Sequence, residues 1–508
     1  MQQASIVFSG GRLFSHASSE ALAVQRDRIL AIGSVEEIAP LIGEKTEVID
    51  LDRRFLLPGF IDAHLHLFHV GLSESGWRVD LSGLRRGQTL GQIRRAVEER
   101  GRGEWVTSGG WDESQWRAKE YLSRDELDQV SPDAPVLAVR MDGHLLVANS
   151  KAFEWMEEHP IKGLDPALVD VARGHLREGS AWALQQEIEP DETALREAVN
   201  AASKHCHRHG VTSAHTMTNS RRLGPLETHL AAARLRTTIY LPVDSPRDVG
   251  PVGPDDGRIN PWLRVGGAKI FADGSIGARN AAVSQPYVAG GTGQLNWQIE
   301  DLQALIERAE RKGHPTAIHA IGDRAIEQVI GLHEHVRTRA TLRHRIEHFE
   351  LPAEGHIERA RDAGLTVCMQ PNFIGNWSGP DSMYVERFGE ARDRASNPLR
   401  RVVDAGLPLA FGSDGMPVGP LYGLHWAVNA PYPNQRLSVE EALLCYTEAP
   451  ARLAYEETLK GRLEPGMLAD LVILDEDPAD RPEAIDRRVV EMTFVGGECV
   501  YRQEGEIG

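Results

Sequence analysis

His64 and His66, within the segment PGFIDAHLH (Pro58–His66), form the sharpest chemical signal in the sequence. Residues two apart on a β-strand point to the same face, so the two imidazoles can converge on one metal ion. Two histidines in a polar pocket would give the same pattern, and His-x-His alone is weak support for a metal site. The pair becomes informative only if other parts of the chain deliver further ligands to the same place.

Four more residues with ligand chemistry stand at the ends of later strand-like segments. They are Lys269 in GGAKIFADGS, His319 in TAIHAIGD, His348 in RIEHFE and Asp414 in LAFGSDG. In a parallel α/β barrel the carboxyl ends of all strands meet at one face, where active sites lie. Each residue alone would be ordinary in a core or a cap. Together with the histidine pair they are a set able to hold two divalent cations.

The elements that would position these residues alternate between short apolar segments and amphipathic helices. Helical stretches at Glu300–Lys312, Arg324–Arg337 and Glu354–Ala363 separate the later strands, and this alternation indicates parallel βαβ units of the α/β class. Eight strands favour a (β/α)8 TIM-like barrel over an open doubly wound sheet, because no GxGxxG follows the first strand. The predicted strands are Gly59–His64, Val211–His215, Thr237–Val243, Ala268–Asp273, Thr316–His319, Arg345–Phe349, Thr366–Gln370 and Leu409–Asp414.

Both ends of the chain and one long gap fall outside this alternation. Residues 1–55 and 460–508 are rich in short β-segments and turns, which predicts a small β-sandwich built from both termini. The barrel domain would then occupy residues 56–459. Roughly residues 70–200 separate the first two strands, and loops of that length without structure are rare. We therefore expect an inserted subdomain over the barrel mouth.

Composition narrows the classes of function. The 508 residues are 41% hydrophobic and 26% charged, as in globular proteins. The net charge of −18 argues against a nucleic-acid or membrane-surface partner, and no apolar run reaches the ~20 residues that span a bilayer. Four scattered cysteines and a start, MQQASIVFSGGRLF, without a secretory pattern predict a cytoplasmic protein.

Longer motifs carry a resemblance to a known family. They are DGHLLVANS (Asp142–Ser150), KIFADGSIGARNAA (Lys269–Ala282), HAIGDRAI (His319–Ile326) and EPGMLADLVILD (Glu464–Asp475). With the ligand set, they make the chain resemble the amidohydrolase superfamily of metal-dependent hydrolases. Within it the chain is similar to the amidohydrolase-3 branch, which includes N-substituted formamide deformylases. The resemblance covers nearly the whole chain and is specific for the branch but not for a substrate.

The resemblance implies a role for each histidine and for the aspartate. His64 and His66 would bind the more buried metal ion. His319 and His348 would bind the more exposed one. Asp414 would be a ligand and also the catalytic base that takes a proton from a bridging water. Zinc suits this ligand set, although manganese, iron or nickel would fit the same donors.

Lys269 occupies the position where many members of the superfamily carry a carboxylated lysine that bridges two metal ions. A carbamate is an anionic oxygen ligand, whereas an unmodified ammonium would repel the cations. The resemblance thus implies two zinc ions bridged by carboxylated Lys269. An unmodified Lys269 would favour a single metal ion.

The predicted insertion offers a further catalytic candidate in Asp142-Gly143-His144. We expect His144 to contact the substrate or polarise its carbonyl group, although Asp and Gly shaping a turn would explain the motif equally well. His215 could act on the substrate, support a ligand or pack in the core. Trp111 and Asp112 could line the pocket or anchor the insertion on the barrel.

These expectations combine into a metal-dependent amidohydrolase. Metal-activated hydroxide would cleave a C–N bond of an amide, N-substituted formamide or cyclic amide. A deaminase, or an ester, lactone or phosphotriester hydrolase, could use the same metal site. A non-catalytic scaffold relative would be expected to have lost ligands, yet all six positions are filled. The resemblance also implies a small-molecule substrate and suggests a homodimer.

Overall fold

The centre of the protein is a sheet of eight parallel strands rolled into a barrel. The computed structural model describes residues 3–219, 222–243, 251–253 and 256–503. Each barrel strand pairs with the next one along the chain, which confirms the predicted (β/α)8 barrel. Barrel strands 1 to 8 are Phe60–Leu65, Val211–Met217, Arg236–Pro242, Leu263–Phe271, Thr316–Ala320, Arg345–His348, Thr366–Met369 and Leu409–Phe411. Arg258–Asn260 adds a short antiparallel strand beside strand 4.

Hydrogen bonds join the end of strand 8 to strand 1. The Asp62 carboxylate accepts from the amide of Ser413 at 3.0 Å and from its hydroxyl at 2.5 Å. The Asp414 amide donates to the carbonyl of His64 at 2.7 Å. Gly412 is required at this seam, because a Cβ there would lie 2.4 Å from the His64 nitrogen. The segment that carries Asp414 is therefore fixed against the strand that carries the histidine pair.

Helices cover the outside of the barrel, and their apolar faces form one large core with the strands. The three helices predicted above begin and end within two residues of their predicted bounds. No helix in the described ranges is long and apolar enough to cross a membrane. In chain order the helices are Leu67–Glu74, Glu192–Arg208, Leu223–Ala233, Ile299–Lys312, Asp323–Val336, His356–Asp362, Pro371–Trp377, Met383–Phe388, Glu390–Ala395, Leu399–Asp404, Pro420–Asn429, Val439–Tyr446 and Glu448–Leu453.

Two strand boundaries differ from the prediction by three residues or more, each for a physical reason. Strand 4 begins at Leu263 rather than at Ala268, because Gly266 and Gly267 continue the strand instead of interrupting it. A Cβ at Gly267 would lie 2.2 Å from a neighbouring backbone oxygen, so glycine permits close packing there. Strand 8 ends at Phe411, before the predicted Asp414, whose φ of 57° is not extended.

Strands from both ends of the chain form two further sheets that share an apolar core. Phe8 and Phe494, one from each sheet, meet edge to face with ring centroids 5.1 Å apart. The four-stranded sheet consists of Arg28–Gly33, Ala21–Gln25, Ile6–Ser9 and Glu47–Asp50, with the short helix Val35–Ile38 beside it. The five-stranded sheet consists of Arg12–Leu13, Phe55–Pro58, Leu471–Leu474, Val490–Val495 and Glu498–Arg502.

A six-stranded sheet with its own apolar core lies between barrel strands 1 and 2 in the sequence. We call residues 79–187 the insert. Its strands, in sheet order, are Val169–Asp170, His175–Arg177, Leu145–Ala148, Val136–Arg140, Val106–Trp111 and Val79–Asp80. Its helices are Arg86–Arg100, Arg124–Val130, Ser150–Glu158 and Glu178–Glu187.

Candidate metal centre

Three side chains from strand 1 and the turn after strand 8 form the tightest group of candidate ligands. His66 Nε2 lies 3.1 Å from Asp414 Oδ1, and His64 Nε2 lies 3.6 Å from the same oxygen. Ligand atoms of these three residues all lie within 4.8 Å of one another. Atoms bound to one tetrahedral zinc ion lie about 3.3 Å apart, given metal–ligand bonds of about 2 Å. The spacing therefore fits a single divalent cation.

The protonation of His64 supports a cation at this position. Its Nδ1 lies 2.5 Å from the Glu347 carboxylate and donates to it, which leaves the lone pair on Nε2. Burial and the charge of Lys269 keep the pKa of His64 well below its ordinary value, so the ring is neutral. Asp414 Oδ1 finds no hydrogen-bond donor among the described residues. Two buried acceptor atoms thus face each other, and a bound cation would satisfy both.

His319 and His348 extend the group from strands 5 and 6. The ring centroid of His348 lies 4.9 Å from that of His64 and 4.5 Å from that of His319. One nitrogen of each ring donates to an oxygen: His348 Nδ1 to Gln370 at 2.8 Å and His319 Nε2 to the Gly274 carbonyl at 3.1 Å. Each ring keeps one free lone pair, as a metal-binding histidine requires.

Lys269 enters the site from strand 4 without a hydrogen-bond acceptor. Its Nζ is buried and makes no hydrogen bond within the described residues, and it lies 4.7 Å from the centre of the Phe271 ring. Burial lowers the pKa of Lys269 to about 8, against the attraction of Glu347 and Asp414. A buried ammonium without an acceptor is costly, so this side chain is a candidate for modification or for a further ligand.

The insert supplies His144 next to the barrel histidines. The His144 and His319 ring centroids lie 5.1 Å apart. Burial alone would lower the pKa of His144, but Glu178, which accepts from Nδ1 at 2.8 Å, raises it to about 9. Asp142 accepts from the His144 amide at 3.2 Å and is held by Arg140 at 2.7 Å. The Asp-Gly-His motif therefore shapes the backbone and also delivers an imidazolium to the site.

All six candidate ligands and His144 line one cavity of about 870 Å³ between the barrel mouth and the insert. Aromatic side chains from both parts form its walls, among them Trp77, Trp182, Phe271, Phe373 and Trp377. A cavity of this size, apolar with a few convergent polar groups, is typical of small-molecule sites.

Three secondary candidates are not among the residues that line this cavity. His215 is buried beneath the site, with Nδ1 3.2 Å from the Arg345 guanidinium. Trp111 packs in the core of the insert and donates to the Ala138 carbonyl at 3.0 Å. Asp112 accepts from Trp377 at 2.9 Å and so joins the insert to the barrel. The anchoring interpretation therefore describes Asp112, whereas Trp111 packs within the insert.

Sequence reasoning missed the residues that orient the candidate ligands. Glu347 binds both His64 and the Arg345 guanidinium, and Arg345 holds the pKa of Glu347 below its ordinary value although burial would raise it. Glu178 plays the corresponding part for His144, and Gln370 for His348. Glu347 and Gln370 each adjoin a predicted strand end, which is the one signal that could have found them.

Fold and site together define the class of protein. A solved structure, an uncharacterized metal-dependent hydrolase from Pyrococcus furiosus, superposes with a TM-score of 0.71 at 28% sequence identity, covering 93% of this chain and 99% of the other. With the candidate ligands at the carboxyl ends of its barrel strands, the protein is a metal-dependent hydrolase that uses a divalent cation on a small-molecule substrate. The model of the Amidohydrolase family (Amidohydro_3) matches residues 47–501, and the chain belongs to this family.

Two curated relatives match over nearly their full length. Protein LONG AFTER FAR-RED 3 of Arabidopsis thaliana is 29% identical, covering 98% of this chain and 92% of the relative. N-substituted formamide deformylase of Arthrobacter pascens is 26% identical and covers 96% of both chains. These matches confirm the resemblance on which the sequence analysis relied.

Proposed function

We propose that this protein hydrolyses a C–N bond of an amide, N-substituted formamide or cyclic amide. His64, His66 and Asp414 would hold one divalent cation. His319 and His348 would hold a second, with Lys269 as a carbamate between the two ions. Zinc is the metal we propose, since it favours imidazole and carboxylate donors.

One observation carries the proposal: His64 Nε2 and Asp414 Oδ1 face each other at 3.6 Å, and Oδ1 is buried without a donor among the described residues. The full-length similarity to N-substituted formamide deformylase supports the choice of bond. Cleavage of an amide also requires an acid, because an amine leaves only after its nitrogen has received a proton, and Asp414 could supply that proton.

Divalent cations bound here would polarise the substrate carbonyl and generate a strong nucleophile from water at neutral pH. Asp414 accepts a proton from the attacking water on its carboxylate and then passes it to the leaving nitrogen, so the proton count balances. His144, protonated and held by Glu178, donates from Nε2 to the carbonyl oxygen as negative charge develops there.

Replacing Glu178 with glutamine should shift the alkaline limb of activity to lower pH. His144 polarises the substrate only while it is charged, so activity falls as the pH rises through its pKa. Removing the Glu178 charge lowers that pKa, and we expect kcat/KM at pH 8 to fall about 10-fold. The measurement is a pH profile of kcat/KM for both proteins. An alkaline limb at the same pH in the variant would contradict the role of His144.

Metal stoichiometry tests the proposed site directly. We expect two equivalents of metal per chain by elemental mass spectrometry of protein purified without chelator and with bicarbonate. Removing the metal should abolish hydrolysis, and zinc should restore it. One equivalent would contradict the proposed pair of ions and favour a mononuclear centre. No metal after reconstitution would contradict the function itself.

A substrate panel tests the choice of bond. Formamides, larger amides and cyclic amides should be turned over faster than matched esters, lactones and aminated heterocycles. A preference for aminated heterocycles would identify a deaminase, and a preference for esters, lactones or phosphotriesters would identify a hydrolase of those bonds on the same metal site.

A further inference from the structure

A second set of polar groups lines the cavity away from the candidate ligands, and it consists of donors. The half-buried Arg78 side chain lines this part of the cavity, and its guanidinium makes no hydrogen bond and no ion pair within the described residues. In the same cavity the hydroxyl of Thr218 and Nε of Arg222 are buried and find no hydrogen-bond partner among the residues that the structure describes. Buried donors that lack acceptors are costly, so their concentration on one wall indicates that the acceptor is a ligand.

The Arg78 guanidinium packs against the backbone of the insert at Gly109. A Cβ placed on Gly109 would lie 1.6 Å from Arg78 Nη2, 2.3 Å from Cζ and 2.4 Å from Nε. The guanidinium therefore lies flat over Gly109 in the strand Val106–Trp111, and any larger residue there would displace it. This contact fixes the orientation of a planar group with five donors, which suits bidentate binding of a carboxylate.

The surrounding charges leave this wall positive. Arg222 Nη2 lies 3.4 Å from Glu189 Oε1. The charge of Asp80 attracts Arg78, but the two side chains form no ion pair among the described residues. Burial, together with repulsion from Arg222, lowers the pKa of Arg78 to about 10, so the guanidinium remains charged at neutral pH. Two clustered arginines are conspicuous in a chain with a net charge of −18. An anionic ligand would relieve their repulsion.

We call the part of the cavity formed by Arg78, Thr218 and Arg222 the donor wall. It adjoins the candidate metal centre. His69, which lines the cavity, stacks on the ring of His66 with centroids 5.3 Å apart. The charges of Arg78 and Arg222 both act on His69. A ligand bound at this wall thus lies one side chain further from the centre than His66, and one substrate can reach both places within the same cavity.

We propose that Arg78, Arg222 and Thr218 form a subsite for a carboxylate of the substrate, so that the natural substrate is an anionic amide. This inference rests on the proposed function, because it assigns a substrate class to the same cavity. Arg78 pairs with both carboxylate oxygens, while Thr218 and Arg222 each donate one further hydrogen bond.

Paired substrates measure the effect of the carboxylate on turnover. N-formylphenylalanine and N-formyl-2-phenylethylamine differ only in the carboxylate, and the metal-loaded enzyme should prefer the first. Arg78→Gln should lower the ratio of their kcat/KM values about 10- to 100-fold, the range for a charged hydrogen-bonded pair. Arg95→Gln is the matched control, since Arg95 is exposed on the helix Arg86–Arg100 and should leave the ratio unchanged. An unchanged ratio in Arg78→Gln would overturn the subsite.

Binding separates this inference from the proposed function. Calorimetry on the metal-loaded proteins would compare 3-phenylpropionate with 3-phenylpropanol. Arg78→Gln, and Gly109→Ala, which keeps the charge but displaces the guanidinium, should each weaken 3-phenylpropionate about 10-fold relative to Arg95→Gln. If that loss occurs while the wild type cleaves no amide, the subsite stands and the proposed function fails. If amides are cleaved and neither variant weakens binding, the subsite alone fails.

Discussion

Asp414→Asn should lower kcat by about 10³-fold or more while the protein keeps part of its metal. The amide oxygen of asparagine can still face His64 and His66, so metal binding weakens without disappearing. Asparagine cannot accept the proton of the attacking water or return it to the leaving nitrogen, and general acid–base catalysis contributes up to about 10⁴-fold. Single-turnover kinetics and metal analysis on the same preparation would measure both effects.

The control for this substitution is Asp165→Asn. Asp165 lines the same cavity but caps the short helix Pro166–Leu168 in the insert, and its loss should leave kcat within about threefold of the wild type. Turnover of Asp414→Asn at a comparable rate would contradict the role of Asp414 as base. A complete loss of metal would mean that Asp414 acts chiefly as a ligand.

Sequence periodicity was sufficient to predict the scaffold because each barrel element obeys a local rule. The strands are short apolar runs, the helices between them are amphipathic, and the helix Ile299–Lys312 ends at Gly313 in the left-handed conformation. Such signals need no knowledge of the partner elements. The carboxyl ends of the strands could therefore be located well enough to select six residues that the structure places around one cavity.

The orienting residues could not be predicted from local pattern, because the fold rather than chain spacing selects each partner. Glu347 bonds to His64 across 283 positions, Glu178 to His144 across 34 and Gln370 to His348 across 22. No periodic pattern records such a pair. The donor wall was missed for the same reason, since Arg78 and Arg222 come together only when the insert meets the barrel.

Backbone conformation at the site also departs from what local pattern predicts. His348, Phe349 and Asp414 have φ values of 73°, 52° and 57°, in the region that favours glycine. Such conformations cost about 1–3 kcal/mol each and persist only where the surroundings enforce them. Next to Asp414, the amide and hydroxyl of Ser413 donate to the Asp62 carboxylate and hold the turn. Tertiary contacts therefore overrule the local backbone preference at these positions.

Lys269→Met should reduce bound metal from two equivalents per chain to one or none and lower kcat by at least about 10³-fold. Methionine has a similar length but offers no carbamate, so the proposed bridging oxygens disappear. Lys269→Ala leaves space in the cavity, and added acetate should restore part of the activity by supplying a carboxylate there. A Lys269→Met protein that keeps both metal equivalents and full turnover would contradict the bridge.

Carbon-13 labelling tests the modification itself. Protein prepared with ¹³C-bicarbonate should give one carbamate resonance that is absent from Lys269→Met. Lys460 is the internal comparison, because it is also buried but its ammonium has partners. Its Nζ donates to Ser213 Oγ at 2.9 Å and forms an ion pair with Glu456 at 2.7 Å. Within the part of the chain that the structure describes, Lys269 Nζ has no such partner, and a carbamate would replace its unsatisfied ammonium with an anion that two cations would stabilise. A resonance that persists in Lys269→Met would assign the carbamate to another lysine. If the metal-loaded wild type gives no resonance, Lys269 is unmodified and the proposed bridge between the two ions is contradicted.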